Sequence, residues 1–262
     1  MMPSLSARSS ARASCRWPVP PSVKSSANRR ARSTRAKAAI DPDNANVLVC
    51  GGGGIAMLVS KKLKDMGSWV WCMQRSDTRQ SQIEGMMALF AKADALDADA
   101  VEKVFEGIED LDAVVSTIGG TPKEPLADSA GNINIIEAAK KRGVKKFVLV
   151  TSIGAGDSKD APPETVYETL QPVLVEKSKA EEALRASGMD YVIVRPGGLK
   201  SEPATGTAKL TEDTSVCGAI HREDVADLVI KVLLKDDCNG RTLSAVDPAQ
   251  MFGEPQFETV EV

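Results

Sequence analysis

The residues best suited to chemistry lie between Gly51 and Ala56, where Gly51, Gly53 and Ala56 fit the spacing G-x-G-x-x-G/A. In that spacing the first glycine permits a tight turn, the second lets backbone approach a diphosphate, and the third small residue lets a helix pack on a strand. The amides of Gly54 and Ile55, at the start of such a helix, would face the anion. Four glycines in a row could equally form a flexible turn with no ligand. The flanks favour the first reading. Val47, Leu48, Val49 and Cys50 make a short apolar run before the glycines, and Leu58, Val59 and Leu63 follow at helical spacing. The expectation is strand, turn, helix, with a nicotinamide dinucleotide at the turn.

Arg75 and Arg79 offer a second kind of chemistry. They follow the apolar stretch 69–73, where a second strand would end. An acidic side chain near that point binds the ribose hydroxyls of NAD, whereas a cation accommodates the extra phosphate of NADP. The two arginines favour NADP(H) over NAD(H), and Asp77 is the one dissenting charge. A solvated loop would also carry arginines.

These residues need a frame, and the rest of the chain supplies it by alternating apolar strands with amphipathic helices. Strands are expected at 68–73, 88–92, 112–117, 146–152, 191–195 and 242–246, with helices at 55–67, 78–87, 98–106, 129–142, 173–186 and 223–234. Asp97 is placed to cap the third helix, and Gly143 and Gly188 to stop the fourth and fifth. Pro162, Pro163 and Pro172 suggest a long loop before the fifth helix, with Tyr167 inside it. The pattern predicts an α/β, Rossmann-like doubly wound fold: a mostly parallel sheet with helices on both faces and ligands at the strands' carboxyl ends. Residues 41–250 would form the domain and 251–262 a tail.

The chain has 262 residues, 42% hydrophobic and 26% charged, within the range of globular domains. Residues 1–40 hold seven Arg and two Lys, many Ser and no acid, which is the composition of a transit peptide. The Ser/Arg/Ala bias and the prolines suit a chloroplast signal better than a mitochondrial one, and a basic arm for nucleic acid is the alternative. Without that segment, 24 cations face 36 acids, near −12, which argues against nucleic-acid binding. No apolar run reaches membrane-spanning length. Five scattered cysteines suit a reducing compartment, with Cys50 and Cys72 as buried small hydrophobes.

The order glycine turn, Arg75, Asp94, Ser152, Lys179 and Arg195-Pro196-Gly197 resembles the atypical short-chain dehydrogenase/reductase superfamily. Within it the likeness is to the NmrA-like, NAD(P)H-binding branch common in chloroplasts, and it covers nearly all of 46–246. The resemblance implies that Asp94 and Ala95 lie by the adenine, that Ser116, Thr117, Ile118 and Gly119 line the cofactor, and that Pro196, Gly197 and Gly198 flank the nicotinamide. It also implies that Lys179 grips the nicotinamide ribose and that Ser152 is a hydroxyl donor, though Ser152 could equally just cap a strand end. Asp224 looks like a helix-end charge in the late Asp-Val-Ala motif, and His221 lacks any partner that would make it a metal ligand or a triad base.

One departure bears on function. Reductases of this superfamily carry a Tyr four residues before the Lys to transfer a proton. Here Val175 stands there, and shifting the register to Lys177 meets Val173 instead. Tyr167 could serve only if its loop folded over the site. Two readings follow: an NADPH-dependent chloroplast oxidoreductase with an unidentified small-molecule substrate, or a dinucleotide-binding redox sensor or assembly scaffold without turnover, acting on a protein partner.

Overall fold

A computed structural model describes residues 40–253 and 257–262, so residues 1–39 of the proposed transit segment 1–40 lie outside the described residues. The first strand, β1 (Asn46–Cys50), is central, and Val47, Leu48, Val49 and Cys50 are all fully buried. Burying each Val or Leu side chain is worth about 1.5–3 kcal/mol, which favours placing this run between other strands rather than at an edge. β1 pairs in parallel with β2 (Trp69–Gln74) on one side and β4 (Ala113–Ser116) on the other. Beyond β2 lies β3 (Leu89–Lys92). Beyond β4 come β5 (Lys146–Val150), β6 (Asp190–Pro196), β10 (Arg241–Val246) and the antiparallel β8 (Lys209–Thr211). The sheet order is β3-β2-β1-β4-β5-β6-β10-β8. It reverses direction between β1 and β4, the crevice where such sheets bind ligands.

Helices cover both faces, as the alternating pattern requires. The first, α1 (Gly54–Asp65), packs beside α6 (Arg222–Leu234), and with α2 (Gln80–Gly85) they share one apolar cluster. On the other face, α3 (Ala98–Glu106), α4 (Asn132–Arg142) and α5 (Glu164–Ala186) enclose a second cluster around Leu48, Phe105, Phe147 and Ile193. Asp97 caps α3 by accepting a hydrogen bond from Ala100 N at 3.0 Å. Gly143 ends α4 in the left-handed conformation at φ 68°. Cys50 and Cys72 face opposite clusters and are free, and burial raises both thiol pKa values. Among the described residues no helix is long and apolar enough to cross a membrane.

The structure departs from the sequence expectations at four places. There is no long proline-bearing loop across 164–172: α5 begins at Glu164 and carries Pro172 within it. A helix-interior proline costs about 3 kcal/mol, and burial of Val173, Leu174, Ala180 and Leu184 on the same helix offsets it. The helix expected over 129–142 divides into a π turn, Ala127–Gly131, followed by α4. Two short strands, β7 (Gly198–Lys200) and β9 (Ala219–His221), pair in parallel and were not legible in the sequence. Part of the tail also joins the domain, since Val260 N donates to Leu210 O at 2.8 Å.

Candidate functional site

The glycine turn sits at the carboxyl end of β1. Gly51 has φ 130°, and a Cβ there would stand 2.5 Å from Thr117 Oγ1, so both conformation and space call for glycine. Gly53 is the N-cap of α1; its flank is open, with nothing within 4 Å of where a Cβ would be. The first helical bond runs from Met57 N to Gly53 O, leaving the amides of Gly54, Ile55 and Ala56 without intrahelical partners. No side chain caps this end and no acid lies in the first turn. A diphosphate fits such a notch, because open amides and the positive end of the helix dipole both favour an anion.

Gln74 ends β2 with its side chain against Gly52, and Arg75 follows it directly. Arg75 is exposed, and Arg79 is the N-cap residue of α2. The dissenting carboxylate, Asp77, pairs with Lys92 at 2.9 Å, and that hydrogen-bonded lysine holds its pKa below the usual range. The corner is therefore cationic. On the next strand connection Ala95 is buried, held by Asn134 Nδ2 donating to its carbonyl at 2.8 Å, while Asp94 Oδ1 accepts from Leu96 N at 3.0 Å.

After β4 the wall is built by a buried asparagine that the sequence reading missed. Ser116 Oγ donates to Asn132 Oδ1 at 2.6 Å, and Asn132 Nδ2 donates to Asp128 O at 2.9 Å and Ile118 O at 3.3 Å. Ser116 is wholly buried, so its side chain supports the wall rather than lining it. Thr117 faces Gly51, and Ile118 and Gly119 continue along the edge. The signal for Asn132 was a polar residue in the middle of an expected helix.

The lysine beside the β4 edge is Lys177. Its Nζ pairs with the fully buried Asp128 at 2.6 Å and would be 3.3 Å from a Cβ on Gly119, so this glycine makes room for it. Asp128 Oδ2 also accepts from Gly120 N at 2.7 Å. Lys179 lies elsewhere on α5, half-exposed and paired with Glu176 at 2.6 Å. Two residues apart on a helix are about 200° apart around it, so only one of the two can face the sheet edge. Tyr167 is ten residues from Lys177 on the same helix, roughly 15 Å along the axis. Its phenol cannot pair with that lysine as a tyrosine one turn away would. Val175 is exposed and Val173 buried. Ser152, just past β5, donates to Ile153 O at 3.0 Å.

Pro196 ends β6, and Gly197 is required where it is, since a Cβ would stand 2.3 Å from Gly218 O. Gly198 N donates to the same carbonyl at 2.8 Å. The following loop is pinned: Thr205 N and Gly206 N both reach Asp224 at 2.9 Å, and Thr205 Oγ1 donates to Asp247 Oδ2 at 2.8 Å. His221 does have neighbours, with Asp224 at 3.6 Å and Glu202 at 3.8 Å, and it belongs to this anchor.

Residues 51–236 match the family described as NAD(P)H-binding. The chain belongs to that family. Among its relatives, an uncharacterized chloroplastic protein of Arabidopsis thaliana is 36% identical over 54% of this chain and 54% of its own length. The chain thus spans about half the length of that relative. An uncharacterized sugar epimerase of Bacillus subtilis is 32% identical over 67% of this chain and 80% of that protein. In structure, ChuY, an anaerobillin reductase from Escherichia coli O157:H7, superposes with TM-score 0.72 and 27% identity over 78% of this chain and 98% of that one. The resemblance to the atypical short-chain dehydrogenase/reductase group and the Rossmann-like fold both stand on these matches.

Proposed function

We propose that this protein is an NADPH-preferring reductase of the chloroplast in which Lys177, rather than Lys179, holds the nicotinamide ribose. The observation that carries the proposal is the Asp128–Lys177 pair: a lysine fixed at the carboxyl end of β4, beside the edge where the nicotinamide half would lie. Bound NADPH would supply hydride to an acceptor. The chain's own residues would orient it, with Lys177 held by Asp128 and Pro196 and Gly197 walling the far end. The chloroplast assignment is supported by the transit-like residues 1–40 and by relatives named chloroplastic. The reductase assignment is supported by the likeness to ChuY, an anaerobillin reductase, and to the sanguinarine reductase of Eschscholzia californica.

The acid is the weak point. No tyrosine stands one turn before Lys177, and a placed general acid contributes about 100- to 10,000-fold. Proton delivery would fall to the Lys177 ammonium, to Ser152 or to water. A panel of quinones, carbonyls and flavins, assayed by NADPH oxidation, tests this. Turnover with at least one acceptor, lost in Lys177→Met and retained within about twofold in Tyr167→Phe, supports the reading. Tight NADPH binding with no turnover would instead support the second reading, a catalytically silent redox sensor or scaffold, which the valines at 173 and 175 favour.

NADP preference rests on Arg75 and Arg79, with Asp77 neutralised by Lys92. Arg75→Glu should weaken NADPH binding about tenfold or more and NADH binding far less. Equal losses would remove the 2′-phosphate assignment.

A further inference from the structure

Arg222 is the first residue of α6, and its stem lies against the glycine turn. A Cβ on Gly54 would come 3.0 Å from Arg222 Cδ and 3.7 Å from Nε. One arm of the guanidinium is engaged: Nη1 donates to Ser201 Oγ at 2.8 Å and Leu199 O at 3.3 Å. The neighbouring acids are used elsewhere. Glu223 faces Lys62 at 3.6 Å, and Asp224 takes the amides of Thr205 and Gly206. Among the described residues no carboxylate forms an ion pair with Arg222, whereas the half-buried Lys62 and Lys177 each have one. An uncompensated guanidinium beside the open amides of α1 complements an anion in charge and in donor geometry.

We propose that Arg222 is a diphosphate-binding residue that ties cofactor occupancy to the loop 199–206, which follows Pro196 and Gly197. The inference rests on the reading that the glycine turn holds a dinucleotide. The side chain bridges two parts of the site that the backbone does not connect: the first turn of α1 and residues 199–201, which lead into the loop pinned by Asp224 and Asp247. Phosphate oxygens and the loop would share one guanidinium, so filling the diphosphate site restrains the loop. A second contact joins the same helix pair, since Lys62 on α1 bridges to Asp227 on α6 at 2.7 Å.

The test compares wild type, Arg222→Met and Arg222→Lys by titration with NADPH and NADH, together with hydrogen exchange of residues 199–206 with and without NADPH. The methionine keeps the apolar stem against Gly54 and removes the charge. It should weaken both dinucleotides by the same factor, about 10- to 100-fold, because the diphosphate is common to them. Lysine should recover part of that loss. NADPH should slow exchange in the loop of wild type and not in Arg222→Met, while the ligand-free melting temperatures stay together. Affinities within twofold of wild type, or loop protection that survives in Arg222→Met at saturating NADPH, would overturn the proposal. Wild type that binds neither dinucleotide would overturn the underlying reading, and this proposal with it.

Discussion

Glu181→Ala is expected to be the most damaging single substitution away from the cofactor edge, lowering stability by about 3–5 kcal/mol. Arg195, the arginine of the Arg-Pro-Gly motif, is 1% exposed, and Glu181 is fully buried. The two meet in a bidentate pair, Nε to Oε1 at 3.0 Å and Nη2 to Oε2 at 2.6 Å, and Thr151 and Arg185 supply further donors to the same carboxylate. The carboxylate joins α5 to β6 and, through Arg195 and Asp157, to the turn after β5. Removing it strands a buried guanidinium whose remaining ion-pair partner, Asp157, is largely exposed. In a domain of this size the loss corresponds to a melting temperature roughly 6–20 °C lower. The double variant Glu181→Met, Arg195→Met should be more stable than Glu181→Ala, since it leaves no unpaired buried charge. Denaturant melts of the three proteins check this. A single-variant loss below about 1 kcal/mol would show that the site solvates the arginine at little cost.

The second large effect is expected at Gly51. Alanine there must adopt φ near 130°, which costs an L-residue about 1–3 kcal/mol, and its methyl group would meet the Thr117 hydroxyl. Relief requires the turn to reshape, and the turn carries the open amides of α1. Gly51→Ala should therefore lower NADPH affinity about 10- to 100-fold while sparing most of the fold, because the core strand before it keeps its buried side chains. Gly53→Ala is the natural control. Its φ is −79° and no atom lies near the new methyl, so any loss there reports only crowding of the ligand.

What was legible in the sequence was local. The β1 run, the glycine turn and the Asp97 cap each depend on residues a few positions apart, and each is found where the spacing placed it. The position of the lysine was not legible, for the opposite reason. Lys177 and Lys179 have equal local claims, and the choice between them is made by Asp128, 49 residues earlier on a π turn. Tyr167 was put on a loop because proline usually breaks a helix; the packing that carries α5 through Pro172 comes from elements distant in sequence, such as the π turn, α4 and the turn after β5, and cannot be counted from the sequence. Arg222 was overlooked because its relation to Gly54 exists only where α6 packs on α1.

The central claim is that the notch from Gly51 to Ala56 binds the diphosphate of a nicotinamide dinucleotide. Titration of residues 41–262 with NADPH, followed by nicotinamide fluorescence, tests it most directly. A saturable change that is weakened at least tenfold in Gly51→Ala is the result expected. No saturable change with either NADPH or NADH, or an affinity unaltered by Gly51→Ala, would contradict it.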